Sequence, residues 1–550
     1  MRRMSLCILS GVMLGFAFPP SHFGILACFG LIPLLVALDE VERTKAALGY
    51  VYLAMLIFHI ITLNWTGGYA HMNDPYMMIA GAVEMTVHPL FYFLPMGFFL
   101  FLRRRLGPTV ALVALPFLWV AYEYSHTLSE WSFPWLTLGN TQSYDLARIQ
   151  IVSSTGVIGL SFWILAMNIV GYFFVRSFLA KGFSLGTRKN SVLLLSLVVL
   201  YALPSLYGWR VLRAAPPMER PVPTSDMARP SLITVGMIQA NVDPWEKWKQ
   251  TGLETIEMYL RMTDSLVKHS TPKPDIVLWP ETAMPYYLLA PQNRSLLNIV
   301  REKINEIGVP VLFGLPQAVY YPDTTKAPPS AKRIQSTGER YDAFNATAFI
   351  QPGVEEIPWY GKMKMVPIAE RVPYADAFYF IDFLRWGVGI GGWQIGRDTV
   401  IFQEKKTGAK FCSLICYESV YPEFVAAFVK KGAEFLTIVT IDSWWDHMSG
   451  AYQHHQYAIF RAVENRRWVA RCAVGGFSSY IDPYGRVYDK TELFTQATLS
   501  RTILRINNRM ANTFYTRHGD WVGRVCALAA AVFVLFALTK TILAKKKEKP

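Results

Sequence analysis

Charged residues are scarce in this chain. Asp, Glu, Lys and Arg make up 17% of its 550 residues, against 52% hydrophobic. A soluble globular chain carries about a quarter charged, so membrane-embedded segments are implied. Cysteines number six, at Cys7, Cys28, Cys412, Cys416, Cys472 and Cys526. None forms a Cys-x-x-Cys pair or a His/Cys cluster with zinc spacing, so neither a metal centre nor a disulfide framework is indicated. Nothing in the sequence signals an organic cofactor, and internal repeats and long low-complexity tracts are lacking. Acidic residues are outnumbered 40 to 54 by Lys and Arg, for a net charge of +14. That excess does not indicate nucleic-acid binding, because no recognisable nucleic-acid module is present. The basic clusters Arg2-Arg3, Arg103-Arg104-Arg105, Arg188-Lys189 and Lys545-Lys546-Lys547 instead flank apolar segments, as topology signals facing anionic lipid do.

What is present falls into two parts. Apolar segments are expected to span the membrane at Met4 to Phe18, Phe23 to Leu38, Ala46 to Leu63, Met77 to Leu102, Pro108 to Tyr124, Ile149 to Val175 and Ser191 to Tyr207, with an eighth at Trp521 to Ala544. The first is short for a crossing of about 20 residues. It follows Arg2 and Arg3 as a signal peptide would, but Phe16-Ala17-Phe18-Pro19-Pro20 is a poor cleavage site, so it counts as a span. With a cytoplasmic amino terminus every basic cluster falls on the same side, and the long polar block after the seventh span lies outside; in a bacterium this is the periplasmic face. The expected organisation is a seven-helix membrane domain over 1–212, a Pro-rich linker over 213–230, a polar α/β domain over 231–505, the eighth span at 521–544 and a basic cytoplasmic tail over 545–550. Within the polar block, short apolar runs such as Leu232 to Ile238, Ile276 to Trp279, Val309 to Phe313 and Lys410 to Ile415 read as buried strands. Leu253 to Val267 carries a helical stripe. Glu84 and His88 sit four residues apart on one face of a membrane helix, where ionisable groups are candidates for function.

Three short words in the polar block carry the chemistry. Trp279-Pro280-Glu281-Thr282, Tyr360-Gly361-Lys362 and Leu414-Ile415-Cys416-Tyr417-Glu418 each set a reactive residue just past a β-like run. They supply a carboxylate, an ammonium and a thiol. A free thiol has a pKa of about 8.5 and needs a base to become an attacking thiolate. The carboxylate can serve as that base, and the ammonium can hold the oxyanion formed on a carbonyl. The set suffices for acyl transfer through a thioester. Taken singly, each residue has a plain reading: a small buried Cys, a loop Glu, a surface Lys.

These words resemble the nitrilase, or carbon–nitrogen hydrolase, superfamily. Val366-Pro367-Ile368-Ala369-Glu370 extends the lysine word, and Met237-Ile238-Gln239-Ala240-Asn241, Lys247-Trp248 and Arg461-Ala462-Val463-Glu464 fit as well. The flanking spans, with Phe18-Pro19-Pro20, Pro116-Phe117-Leu118-Trp119 and Phe133-Pro134-Trp135-Leu136, are similar to the apolipoprotein N-acyltransferase branch. The resemblance implies a four-layer α-β-β-α sandwich over about Ser231 to Leu504, beside a bundle of about eight membrane helices. It implies Cys416 as nucleophile, Glu281 as base, and Lys362 with the Tyr417 backbone N–H as oxyanion donors. Glu370 and Glu418 would line or orient the site, with Trp248 near its mouth. The implied partners are a phospholipid acyl donor, phosphatidylethanolamine acting through its sn-1 ester, and diacylglyceryl-modified apolipoproteins.

Two readings stay open beside it: a membrane-tethered amidase that passes the acyl group to water, and a membrane scaffold with an inactive domain. Ile441-Asp442-Ser443-Trp444-Trp445-Asp446 stands where the family has Asn-Asp-Ala-Trp-Phe-Gly. Val474-Gly475-Gly476 replaces an Asn-Asn-Gly or Asn-Thr-Gly word, and Lys364 replaces a common His. These departures bear on the shape of the substrate mouth.

Overall fold

The computed structural model describes residues 1–68, 75–181, 187–216, 232–247, 252–375, 377, 392–506 and 512–547. Trp248 and the expected linker from residue 217 onward lie outside them. The chain divides into two units. The first comprises Met1–Ala215, Met448–Gln456 and His518–Pro550; the second comprises Pro216–His447 and Tyr457–Arg517.

Apolar helices build the first unit. Among the described residues, five are long and apolar enough to cross a membrane: Thr44–Leu63, Met77–Leu106, Arg148–Leu179, Arg188–Ala214 and Trp521–Ala544. The other three expected spans form shorter structures. Helix Arg2–Ala17 has 16 residues, Gly24–Leu38 breaks into a 3-10 turn and the helix Ile32–Leu38, and Pro108–Ser125 has 18 residues with the polar stretch Tyr122-Glu123-Tyr124-Ser125 in its last turn. Helix Arg2–Ala17 lies tightly on Thr44–Leu63 because Gly11 and Gly15 face it; a Cβ at Gly11 would come within 2.4 Å of the Ala54 carbonyl oxygen. Small residues are what let membrane helices approach this closely.

The span expected as Met77 to Leu102 is broken at Pro89, where a 3-10 turn, His88–Tyr92, separates helices Pro75–Val87 and Phe93–Leu106. Glu84 and His88 stand 3.9 Å apart. The His88 hydrogen bonds run elsewhere, to His59 at 2.8 Å and His126 at 3.0 Å. Gln453, from the Met448–Gln456 stretch, is buried in this unit with its amide fully used. It accepts from Trp65 and Trp135 at 3.0 and 2.7 Å and donates to the Pro19 and Thr62 carbonyls at 2.9 and 3.1 Å.

The second unit is a sandwich of two sheets. The first sheet contains β1 (Leu232–Gln239), β2 (Ile276–Leu278), β3 (Val311–Tyr320), β4 (Lys332–Arg333), β5 (Arg340–Ile350), β6 (Trp359–Gly361) and, from the end of the domain, β13 (Ala497–Leu504). Its order is β13-β1-β2-β3-β5-β4, with β6 also paired to β5. The second contains β7 (Phe402–Gln403), β8 (Lys410–Ile415), β9 (Phe435–Thr440), β10 (Val469–Ala473), β11 (Ser479–Ile481) and β12 (Val487–Tyr488), in the order β12-β11-β10-β9-β8-β7. Strands β1, β2 and β3 run parallel, as do β8, β9 and β10.

Strands covered on both faces read as continuous apolar runs, as β1, β8 and β9 do. The sheets meet face to face: Phe349 of β5 stacks edge-on to Phe411 of β8 at 5.3 Å, and the Tyr480 hydroxyl of β11 donates to the Val235 carbonyl of β1 at 2.6 Å. Helices Gly252–His269 and Arg294–Ile307 cover the first sheet, packing Ile256, Tyr259, Val300 and Ile304 against Val277, Trp279 and Phe313. Crossover helices Pro422–Lys431 and Ser449–Asn465 connect β8, β9 and β10, as parallel strands require. The carboxyl ends of β2, β6 and β8 carry the three reactive words.

Candidate active site

Glu281 stands just past β2, in a turn that packs against Gly314 of β3. A Cβ at Gly314 would lie 2.3 Å from the Thr282 nitrogen and 2.7 Å from the Glu281 Cα, so only glycine leaves room for the turn. Thr282 has φ +44°, a strained value for a β-branched residue. Asn345 of β5 donates through Nδ2 to Glu281 Oε1 at 2.8 Å, and its carbonyl accepts from the Lys362 backbone N–H at 2.8 Å. One asparagine thus ties the Glu281 and Lys362 words together.

Lys362 follows β6 directly and is fully buried. Its Nζ lies 2.7 Å from Glu370 Oε1 and 3.7 Å from Glu281 Oε1. Glu370 Oε2 accepts from the Val366 backbone N–H at 2.8 Å, which fixes the carboxylate on its own loop. Burial pushes the Lys362 ammonium down, but Glu370 and then Glu281 outweigh it and hold it well above its ordinary range. Burial pushes Glu281 upward, against the pull of Lys362.

Cys416 follows β8 and opens a 3-10 turn, Cys416–Val420, with φ +52°. A sharp turn from strand to helix presents a nucleophile away from its own strand. Its carbonyl accepts from the Ser419 hydroxyl at 2.8 Å. The side chain is 8% exposed and feels Glu281, Lys362 and Glu370, and Thr440 at the end of β9 hydrogen-bonds to it. Burial and then the Glu281 charge raise the thiol well above its ordinary range, so the resting residue is a neutral thiol.

Glu418 does not face this cluster as a free acid. Oε1 accepts from the Tyr360 hydroxyl at 2.5 Å and from the backbone N–H groups of Met363 and Lys364 at 2.7 and 3.3 Å, and Oε2 accepts from the Ile415 N–H at 2.7 Å. It rivets the lysine word to the cysteine word, and burial pushes it up to about 7. Tyr417 is buried, with its ring edge-on to Tyr421 at 5.4 Å. Lys364 lies over the rings of Tyr421 and Phe424 at 5.0 and 5.9 Å.

The stretches Ile441–Asp446 and Val474–Gly476 touch each other. Asp442 forms a buried bidentate pair with Arg471 at 2.8 and 2.9 Å and accepts from Thr440 at 3.2 Å. A Cβ at Gly476 would fall 2.2 Å from Asp442 Oδ2. Gly476 therefore makes room for this carboxylate, one hydroxyl behind Cys416.

Asn345 and Thr440 belong to none of the sequence words, and Lys247 enters only as part of Lys247-Trp248. Asn345 could have been singled out as a polar residue inside an apolar strand, since buried polar groups need partners. The buried Lys247 ammonium donates to the Thr282 carbonyl at 3.3 Å and to its hydroxyl.

The comparisons agree with this architecture. Residues 234–507 match the carbon–nitrogen hydrolase family, which defines the class of the α/β domain. Residues 10–170 match the apolipoprotein N-acyltransferase N-terminal domain. An apolipoprotein N-acyltransferase of Chlorobaculum tepidum is 33% identical over 542 residues, covering 97% of this chain and 96% of that protein. One of Geobacter metallireducens is 30% identical over 543 residues, covering 97% and 95%. The chain belongs to the apolipoprotein N-acyltransferase family.

Proposed function

We propose that this protein moves a fatty acyl group from a phospholipid to the amino-terminal amine of a diacylglyceryl-cysteine apolipoprotein, through a thioester on Cys416. The observation that carries the reading is the buried cluster of Glu281, Lys362 and Glu370 acting on the Cys416 thiol, in a chain that aligns with its relatives over nearly its whole length.

In the first stage Glu281 takes the thiol proton as sulfur attacks the sn-1 ester carbonyl, with phosphatidylethanolamine as donor. Proton removal coupled to attack suits a thiol that is neutral at rest. Lys362 and the Tyr417 backbone N–H hold the oxyanion, at about 3 kcal/mol per donor. The tetrahedral adduct expels the lysophospholipid alkoxide, which takes the proton from Glu281, and a thioester remains. In the second stage the free amine of the acceptor attacks that thioester. Glu281 receives the amine proton and passes it to the departing Cys416 thiolate as the C–S bond breaks, and an amide completes a triacylated product.

Glu370 holds Lys362 and Glu418 holds the two words in register, so both are positioning residues in this reading. The site works at the periplasmic face of the bacterial inner membrane. Drawing an acyl chain into water costs about 0.8 kcal/mol per CH₂, and a site at the bilayer surface avoids that cost.

The test is to mix purified protein with acyl-labelled phospholipid and a diacylglyceryl-cysteine peptide. Labelled peptide is expected. Free fatty acid without labelled peptide identifies a hydrolase and contradicts the proposal.

A further inference from the structure

Glu281 owes its direction to a turn that its own hydrogen bonds do not fully fix. Asn345 holds one oxygen, Oε1, and Gly314 forms the floor beneath the turn. The next residue, Thr282, sits at φ +44°, a conformation that persists only when its surroundings enforce it. The group that grips Thr282 is Lys247. It lies on the loop after β1, where Asn241 donates to the Val474 carbonyl at 2.7 Å and the Lys247 backbone N–H donates to the Asp243 carbonyl at 3.0 Å. Its ammonium is buried and bonded to both oxygens of Thr282.

A surface lysine does not become buried without a cost in lost hydration. A methionine would fill the same space without that penalty. The ammonium must therefore supply something apolar packing cannot, and it lies close enough to Glu281 for the two charges to interact.

We infer that Lys247 is a positioning residue for the reaction, clamping the Glu281–Thr282 turn so that the Glu281 carboxylate stays aimed at Cys416 beside Lys362. The inference rests on the acyl-transfer reading for its kinetic consequence and on the geometry alone for the clamp. Burial pulls the Lys247 ammonium down to about 7, so it is partly protonated at neutral pH, and its positive charge favours the ionised form of Glu281. The other titratable groups facing Glu281 are Lys362, Glu370 and the Cys416 thiol, and Asn345 hydrogen-bonds to it.

The experiment compares Lys247→Met, Thr282→Val and the double variant with the parent protein in detergent. Three quantities are read: the single-turnover rate of Cys416 acylation by phospholipid against pH, the rate of Cys416 alkylation by iodoacetamide, and the melting temperature. Lys247→Met is expected to lose about 10²-fold in acylation rate, the scale of a misdirected catalytic group. Its acid limb should move to higher pH, because Glu281 has lost a neighbouring positive charge. Alkylation should slow as well, and the double variant should be no slower than Lys247→Met, since both changes break one clamp.

Parent-like acylation in Lys247→Met overturns the inference, and so does a slower rate with an unmoved acid limb, which marks a merely structural residue. Should Lys247→Met fail to fold, Thr282→Val decides: slowed acylation supports the clamp and a parent-like rate refutes it. Should the parent form no acyl-Cys416 at all, the proposed function fails instead, and the alkylation comparison alone judges Lys247.

Discussion

The Tyr360 hydroxyl donates to Glu418 across 2.5 Å, joining the strand that precedes the lysine to the turn that begins with the cysteine. The same carboxylate takes three backbone N–H groups from those two words. Removing it leaves buried donors with nothing to bond. Glu418→Ala is expected to destabilise the α/β domain by about 3 kcal/mol, read as a lower thermal midpoint in detergent. Glu418→Gln turns an amide NH₂ toward donors and should recover only part of that loss. A Glu418→Ala protein with parent-like melting would show that the rivet carries no weight.

Gly314 places the base. A methyl group there would meet the Thr282 nitrogen and the Glu281 Cα inside contact distance, so the turn must move. Gly314→Ala should keep the fold while slowing Cys416 acylation about 10²-fold. Single-turnover kinetics with labelled phospholipid checks this, and unchanged kinetics would place the turn elsewhere.

The resting thiol is expected to be unreactive by the standard of thiolate enzymes. Burial and the neighbouring Glu281 charge favour its protonated form, so the thiolate fraction grows only above the pH at which an ordinary cysteine ionises. Alkylation of Cys416 by iodoacetamide should keep accelerating with pH beyond about 9. A rate that is already flat at neutral pH would reveal a preformed thiolate and contradict proton transfer coupled to attack.

Gly476 leaves the space that the Asp442 carboxylate fills. With Gly476→Ala the added carbon falls onto the carboxylate that pairs with Arg471, breaking or displacing a fully buried ion pair. A loss of about 3 kcal/mol is expected, again as a drop in thermal midpoint. An Asp442→Asn exchange in the same background should return little of it, because the steric conflict remains. Full recovery there would mean charge, not space, sets the constraint.

Much of the layout was legible because strands buried on both faces leave continuous apolar runs, and each reactive word follows one. Five of the apolar runs form helices long and apolar enough to cross a membrane among the described residues, and the other three form shorter structures. Pro89 announces the break between Pro75–Val87 and Phe93–Leu106, and a single apolar run hid it. The early segment has too few residues in its helix, Arg2–Ala17, to match the longer spans.

Long-range partnerships were not legible. Gln453 looks like any helix glutamine until Trp65, Trp135, Pro19 and Thr62 converge on it from distant positions. Asp442 and Gly476 stand in two separate stretches of the sequence, and only the fold shows that Gly476 leaves the space the Asp442 carboxylate fills. Lys247 was hidden for the same reason: only folding brings it to Thr282.

The most direct measurement is intact-protein mass spectrometry of the purified protein after incubation with phospholipid and no acceptor. The account predicts a species heavier by one fatty acyl group, removed by hydroxylamine, absent from Cys416→Ala and strongly reduced in Glu281→Gln. An adduct that survives in Cys416→Ala, or a parent protein that forms none while still acylating the acceptor peptide, would contradict the thioester route.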